Sequence, residues 1–321
     1  MRRFVVRVIF FCSLVWLAMA ASSFMLCDKS AQATQLGAEI NKQSRLRTIE
    51  GGRIVFIGGS NLACGLDSLA IENAVGMPVV NLGLHAGLGF VYHVNAAKDY
   101  IHSGDIVCLV PEYSHFKGGT ALGDMELLIL VLDVMPEQQS LLSLRQWLHL
   151  MQYIPDYAPR KLRRILGTLV KGPPKMVARY NEQGDFAERW IDEPLNFPVI
   201  PIGGLSDYNS EVVMFIKSAV MSMESKGATV LLIPSVLQRN TYEVSLPLIT
   251  HISDEFKSFG IPYVCSPEEF VLEDKYFSDT PYHLNERGIV VRTKKMIELL
   301  LSRRDSQSRT TTFEGKSKVT R

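Results

Sequence analysis

Ser60, Asp279 and His283 are the residues of this 321-residue chain whose types and order could carry out covalent chemistry. Ile57-Gly58-Gly59-Ser60-Asn61 places a hydroxyl just after a β-rich run, and Ser278-Asp279-Thr280-Pro281-Tyr282-His283-Leu284-Asn285 places a carboxylate four residues before an imidazole. A serine, a base to take its proton and a group to orient the base are the parts of acyl transfer through a covalent intermediate. Gly58 and Gly59 let the backbone turn tightly and approach a substrate. Gly-Ser-Asn is also an ordinary helix cap, and a loop histidine is ordinarily an exposed or capping residue, so it is the two halves together that point to chemistry. A third segment, Asn81-Leu82-Gly83-Leu84-His85-Ala86-Gly87-Leu88-Gly89, puts Gly83 just past a second β-rich run. Its N–H is placed to donate to an oxyanion beside that of Ser60. The spacing of Gly83, Gly87 and Gly89 does not match the dinucleotide fingerprint.

These residues need a scaffold, and the chain alternates short apolar β-branched runs with helical stretches, the pattern of a parallel sheet covered on both faces. Strands are expected at Arg53 to Ile57, Pro78 to Leu82, Asp105 to Val110, Thr229 to Ile233 and Pro262 to Val264. Crossover helices are expected at Asp67 to Val75, Gly89 to Ile101, Ser210 to Ser225 and Tyr242 to Phe259, with a final helix from Gly288 to Ser302. A polar connector, 28–52, precedes the domain at 53–302, and an insertion at about 118–206 interrupts the rhythm with helical patterns of its own. Within it, Leu162, Ile165, Leu166, Leu169 and Val170 share one helical face, with Arg160, Lys161, Arg163, Arg164 and Lys171 around them. Packing on the parent domain and contact with a membrane surface are both open for this helix, which Lys171-Gly172-Pro173-Pro174 ends. Asn181, Gly184 and Asp185 read as a turn.

Residues 1–27 form a targeting or anchoring segment, with Arg2, Arg3 and Arg7 ahead of an apolar run from Val8 to Cys27. Val8 to Leu17 followed by Ala18-Met19-Ala20 resembles a cleavable signal, whereas the whole run is long enough to span a bilayer; the uncleaved anchor is preferred. The basic flank then stays in the cytoplasm and the domain after Asp28 is exported. The net charge of +1 makes no case for nucleic acid. Residues 303–321 hold six basic and two acidic residues, a net of +4 that leaves −3 for the rest, and read as a disordered basic tail. Of five cysteines, Cys12 and Cys27 lie in the apolar segment, and Cys64, Cys108 and Cys265 show no disulfide framework. His85, His93, His102 and His115 lack ligand spacing, so neither a metal nor another cofactor is expected.

The order of Gly-x-Ser after the first strand, Gly83 after the second, and Asp279 and His283 before the last helix resembles the SGNH (GDSL-type) hydrolase superfamily, above all its membrane-anchored bacterial branch associated with surface polysaccharides. The resemblance spans Ile54 to Glu112 and Gly227 to Leu300. It implies a flavodoxin-like three-layer α/β sandwich of about five parallel strands, with Ser60 as nucleophile, His283 as base, Asp279 as its partner, and the N–H groups of Ser60 and Gly83 as oxyanion donors. Two departures stand out. Pro111-Glu112-Tyr113 follows the third strand where the family places an Asn donor, and Asp279 and His283 are four apart where the family has three. An ionised Glu112 opposes an oxyanion, so it must be protonated, point elsewhere or bind a cationic group of the substrate. The side-chain amide of Asn61 is the candidate for the missing donor. Glu112, Tyr113, Tyr282 and Arg239 are candidate substrate contacts. The expected function is an extracytoplasmic serine esterase or O-acyltransferase on acetyl or other acyl esters of an envelope or exported polysaccharide. Its partners are the acylated carbohydrate, the membrane and polysaccharide-assembly proteins. The alternative is an inactive SGNH-like component of a polysaccharide export system, and a third reading is a lipid-acting esterase.

Overall fold

A computed structural model of the chain describes residues 1–26, 28–172, 179–187, 199 and 201–317, with side chains through Arg304. The helices in chain order are α1 (Arg2–Met25), α2 (Ala38–Thr48), α3 (Ser60–Ala63), α4 (Ser68–Val75), α5 (Phe90–Lys98), α6 (Met125–Val134), α7 (Leu144–Lys171), α8 (Glu211–Glu224), α9 (Arg239–Ser258) and α10 (Glu286–Ser317). Strands β1 (Ile54–Gly58), β2 (Val79–Asn81), β3 (Ile106–Val110) and β4 (Thr229–Leu232) form a parallel sheet in the order β2-β1-β3-β4. The chain is therefore an α/β protein, and this strand order is compatible with a flavodoxin-like layout.

The sheet is buried on both faces because its two central strands, β1 and β3, carry apolar residues on both faces and not at alternate positions. Val55, Ile57, Val107 and Leu109 pack beneath α5, α8 and α9, while Ile54, Phe56, Ile106 and Cys108 face α4 and α10. Asp67 caps α4 by accepting from the N–H of Ala70 at 2.9 Å, and Gly76 closes that helix in the left-handed region at φ 71°.

The expected fifth strand is corrected. Among the described residues, Pro262–Val264 is tied to β4 by the bond from the Val264 N–H to Leu232 O at 2.9 Å, and Pro262 has no N–H to extend a ladder. Instead, β5 (Leu237–Gln238) and β6 (Val271–Leu272) pair in parallel as a separate two-stranded ribbon. Residues 28–52 also differ from a polar connector, because α2 is packed into the domain through polar contacts. Glu39 Oε1 accepts from Gln43 Nε2 at 2.9 Å, from Gln138 Nε2 at 3.1 Å and from the Tyr92 hydroxyl at 3.2 Å, all buried. At the other end, α10 runs to Ser317, past the expected start of the disordered tail, with no proline to interrupt it.

The insertion builds a second core of α6 and α7 against the outer side of α5, through Tyr92, Ala96, Leu128, Leu132, Leu150 and Tyr157. Its 28-residue helix α7 accommodates Pro155 and Pro159 and ends with Gly172 at φ 78°; Pro173 and Pro174 lie outside the described residues, as does Cys27.

At the amino end of the sheet, Arg53 and Asp105 are wholly buried, with Nε 3.3 Å from Oδ2. The guanidinium also donates to Ile49 O at 2.7 Å and to the carbonyls of Leu46 and Tyr100, so it joins α2 to the strands. Removing one member of a buried pair strands the other charge. Arg53→Met is expected to lower stability by about 3–5 kcal/mol in urea unfolding, and an unchanged midpoint would refute the role given to this pair.

Candidate active site

The carboxyl ends of β1 and β2 lie side by side, so the turns that follow them meet. Ser60 opens α3 directly after β1, with Gly59 at the cap. A Cβ on Gly59 would stand 2.7 Å from Glu112 Oε1 and 2.9 Å from Ala86 Cα, so this turn admits only glycine. The loop 278–283 returns before α10, closed by the bond from the Ser278 N–H to His283 O at 2.9 Å and by Thr280, whose Oγ1 accepts from the His283 N–H at 3.1 Å.

This loop carries the imidazole to the serine. His283 Nε2 lies 2.8 Å from Ser60 Oγ, and His283 Nδ1 lies 2.8 Å from Asp279 Oδ1. An ionised carboxylate only accepts, so Nδ1 carries the proton and Nε2 accepts from the serine hydroxyl. The four-residue spacing of Asp279 and His283 is therefore compatible with the relay, because the Thr280 turn takes up the extra residue. Asp279 is 38% exposed at its side chain and His283 13%, so the relay reaches the surface through its carboxylate end.

The other expected donors are placed differently. The Gly83 N–H donates to Asn81 Oδ1 at 2.9 Å, which removes it from an oxyanion role in this arrangement. Asn61 is fully buried, with Nδ2 3.2 Å from Glu112 Oε1, so its amide does not face the cleft. Its Oδ1 accepts from Arg292 at 3.0 Å, and Arg292 also donates to Asn61 O. Burial pulls Arg292 below its ordinary value and Glu112 opposes that pull, so Asn61 lies between a buried cation and a buried carboxylate. Gly65 makes room for the guanidinium, since a Cβ there would stand 2.4 Å from it.

The expected substrate contacts are corrected too. Glu112 points inward and accepts from the Asn61 N–H at 3.2 Å, while Tyr113 and Tyr282 are buried in the core beside the sheet. Arg239 is paired with Glu273 at 2.7 Å and is not among the cleft residues.

The cleft at Ser60 holds about 120 Å³ and is lined by Gln35, Ser60, Cys64, Leu84, His85, Tyr180, Phe186 and His283. Tyr180 and Phe186 come from the insertion and stack edge to face with ring centroids 5.1 Å apart. Between them, the turn at Asn181 to Asp185 is pinned to the end of β2. Asp185 accepts from the Ser68 hydroxyl at 2.6 Å, the Ser68 N–H at 2.7 Å and Asn81 Nδ2 at 2.8 Å, and the Asn81 N–H donates to Gln183 O at 2.8 Å. Lys42 of α2 donates to Asn81 O at 2.9 Å and to Gly184 O, with its ammonium 4.8 Å from the Tyr180 ring centroid. Burial lowers Lys42 to about 8 although Asp185 and Glu39 favour its charged form. Sequence reasoning identified the Asn181 turn and missed the two aromatic walls on either side of it.

Among the described residues no three His, Cys, Asp or Glu side chains converge as metal ligands. The histidines hold the loop after β2 instead. His93 Nε2 lies 3.1 Å from His85 O, and His115 Nε2 lies 3.0 Å from Ala86 O while its Nδ1 accepts from the Glu112 N–H at 3.1 Å. His85 Nδ1 accepts from the Gly87 N–H at 3.0 Å, which places the proton of the neutral ring on Nε2. Burial lowers all three pKa values, that of His93 to about 3.

The sign of the resulting pH dependence follows from proton counts. Below pH about 6.5 the unfolded chain binds a proton at residue 93 that the folded chain refuses until about 3, so stability falls as pH falls through that window. His93→Gln is expected to flatten the fall between pH 6 and 4 by ~1.4 kcal/mol per unit, measured from urea midpoints; an unchanged slope would mean that His93 is charged in the fold. No protein-family model matches the chain and no curated protein is significantly similar to it, so a functional reading has to come from the geometry of Ser60, His283 and Asp279.

Proposed function

We propose that this chain is an SGNH-type serine esterase or O-acyltransferase with a flavodoxin-like domain, exported and tethered by α1. The observation that carries the reading is the continuous relay from Ser60 Oγ through His283 to Asp279, with 2.8 Å at each step. α1 is long and apolar enough to serve as a membrane anchor or a signal, with a mean hydropathy of 2.3.

In this mechanism Ser60 Oγ attacks the acyl carbon as His283 Nε2 takes its proton, and Asp279 stabilises the imidazolium. The tetrahedral oxyanion needs donors. Among the described residues no acceptor faces the Ser60 N–H, which is therefore free for this role. The second donor in this proposal is His85 Nε2–H, on a ring that lines the same cleft. Collapse of the intermediate breaks the ester C–O bond, and the leaving alcohol takes the proton from His283. Water or a sugar hydroxyl, deprotonated by the same base, then releases the acyl group from Ser60. A volume of about 120 Å³ is the room of about four waters, which suits an acetyl group and not a long acyl chain. The small cleft thus favours acetyl esters, with polysaccharide as the acceptor or carrier, over the lipid-acting reading.

One observation favours the alternative of a non-catalytic assembly component: the Gly83 N–H and the Asn61 amide are both occupied. Labelling of the full chain with a fluorophosphonate, followed by peptide mapping, decides between the two readings. The adduct is expected on Ser60 and is lost in Ser60→Ala and His283→Ala. Asp279→Asn is expected to slow acetyl-ester turnover by at most about 10⁴-fold. His85→Phe is expected to slow it by about a hundredfold or more, with a smaller loss in His85→Gln, which keeps a donor. A folded protein that takes no label at Ser60 would exclude the esterase reading.

A further inference from the structure

We infer that the carboxyl-terminal half of α7 is a second membrane-facing element, running beside the outer half of α1 with its apolar stripe in lipid. The inference rests on the anchor reading of α1 and is independent of the esterase reading.

The stripe is open to solvent: Leu162 is 46% exposed, Leu166 52%, Leu169 76% and Val170 83%. Successive helical residues are about 100° apart, so these four lie within an arc of about 100°. The exposed Arg163 borders the stripe on the side away from α1, and the exposed Lys171 lies beyond it on the opposite side of the helix. A stripe of leucine and valine with a long basic side chain at its edge is the composition of an element that faces lipid, the cation reaching toward the headgroups.

The occupant follows from what adjoins the stripe. α7 packs along α1, and buried or partly buried positions recur at helical spacing on both helices, Trp16, Met19, Ala20 and Ser23 on α1 and Lys161, Arg164, Ile165 and Thr168 on α7. Ile165 lies between this contact face and the open stripe, so the apolar surfaces of the two helices are continuous. Trp16, Met19 and Ala20 belong to the apolar run of α1, whose remaining faces are open, Phe10 at 64% and Leu17 at 57%. Any environment that covers α1 therefore reaches the α7 stripe as well.

The root of the pair is rigid. Lys161 is buried, donates to Ser23 O at 2.7 Å and pairs with Asp133 of α6; Arg164 Nε lies 2.7 Å from Asp28 Oδ2; Phe24 packs on Trp147 at 5.3 Å. These contacts fix α7 against the end of α1 and so set the height of the domain above the bilayer.

The test places the photo-crosslinker p-benzoylphenylalanine singly at Leu166, Leu169, Phe10 and Val244 of the full chain, reconstituted in nanodiscs of phosphatidylethanolamine and phosphatidylglycerol. Phe10 reports the anchor, and Val244, 50% exposed on α9, reports an apolar surface site on another element. Lipid adducts are expected at Phe10, Leu166 and Leu169, with none at Val244. Adducts at Phe10 but not at Leu166 or Leu169 would overturn the inference and leave the anchor standing. No adduct at Phe10 would overturn both. Chain-to-chain adducts at Leu166 or Leu169 in place of lipid adducts would overturn it in favour of a second copy as the occupant.

Discussion

The constraint on which this fold turns is that buried polar atoms at the carboxyl ends of parallel strands must all find partners. β1, β2 and β3 end together, and the chain leaves each of them through a turn that exposes backbone carbonyls and N–H groups to an apolar interior. Asn81 answers most of this need at once. Its side chain donates to Leu62 O of α3 and to Asp185, and accepts from Gly83. It therefore fixes the helix that begins at Ser60, the loop after β2 and the turn of the insertion relative to one another. Asp185 is buried and its carboxyl is pushed up by desolvation, against the four donor bonds that favour its ionised form. Lys42 is the cation nearby, held on the carbonyls of Asn81 and Gly184. A hub of this kind is strongly stabilising only when every member is satisfied, which is why its parts come from four separate stretches of chain.

A second buried charge system lies under the nucleophile. Where an uncharged amide donor is expected after β3, Glu112 occurs, and its carboxylate does not face the cleft. It accepts from the backbone and side chain of Asn61, while Arg292 donates to the same residue from the other side. The carboxylate thus serves to position the turn after Ser60, and its charge is balanced through Asn61 by a guanidinium on α10. The Ser60 turn is consequently held by three elements distant in sequence: β3, α10 and the loop carrying His283. This accounts for a serine whose hydroxyl meets the imidazole at 2.8 Å in the protein alone.

How much of this was legible in the sequence depends on the kind of signal. Four of the five expected strands and all the crossover helices between them were legible, because a strand buried on both faces is a continuous apolar run and a crossover helix has its own period. Ser60, Asp279 and His283 were legible as a set from their order along the chain. Pro262–Val264 read as a strand on composition, yet a strand at a sheet edge is decided by available N–H donors, and proline removes one. The helix α2 was hidden because it packs by hydrogen bonds from Glu39, Lys42 and Gln43, residues that hydropathy assigns to solvent. The roles of Gly83 and Asn61 were misread for one shared reason: each has a polar group of the right type, and which neighbour takes it depends on long-range contacts with Asn81, Glu112 and Arg292 that no local pattern encodes. Tyr180 and Phe186 escaped notice because nothing around them announces that their turn returns to the sheet.

The insertion is thus part of the site even though it supplies none of the reacting atoms. Without the turn at Asn181 to Asp185, the ends of β2 and α3 would present Ser60 on an open surface; with it, two stacked aromatic rings close one side and leave a cleft of about 120 Å³. The same insertion carries α6 and α7, and α6 gives Asp133 to the buried pair that holds α7 against α1. The wall of the cleft and the seat of α1 therefore belong to one connected excursion of the chain. Its helical core is locked to the parent domain through Tyr92 of α5, which bonds to both Glu39 and Gln138. Packed cores transmit position and not gradual deformation, so the distance between Ser60 and the paired helices α1 and α7 is fixed by these polar locks.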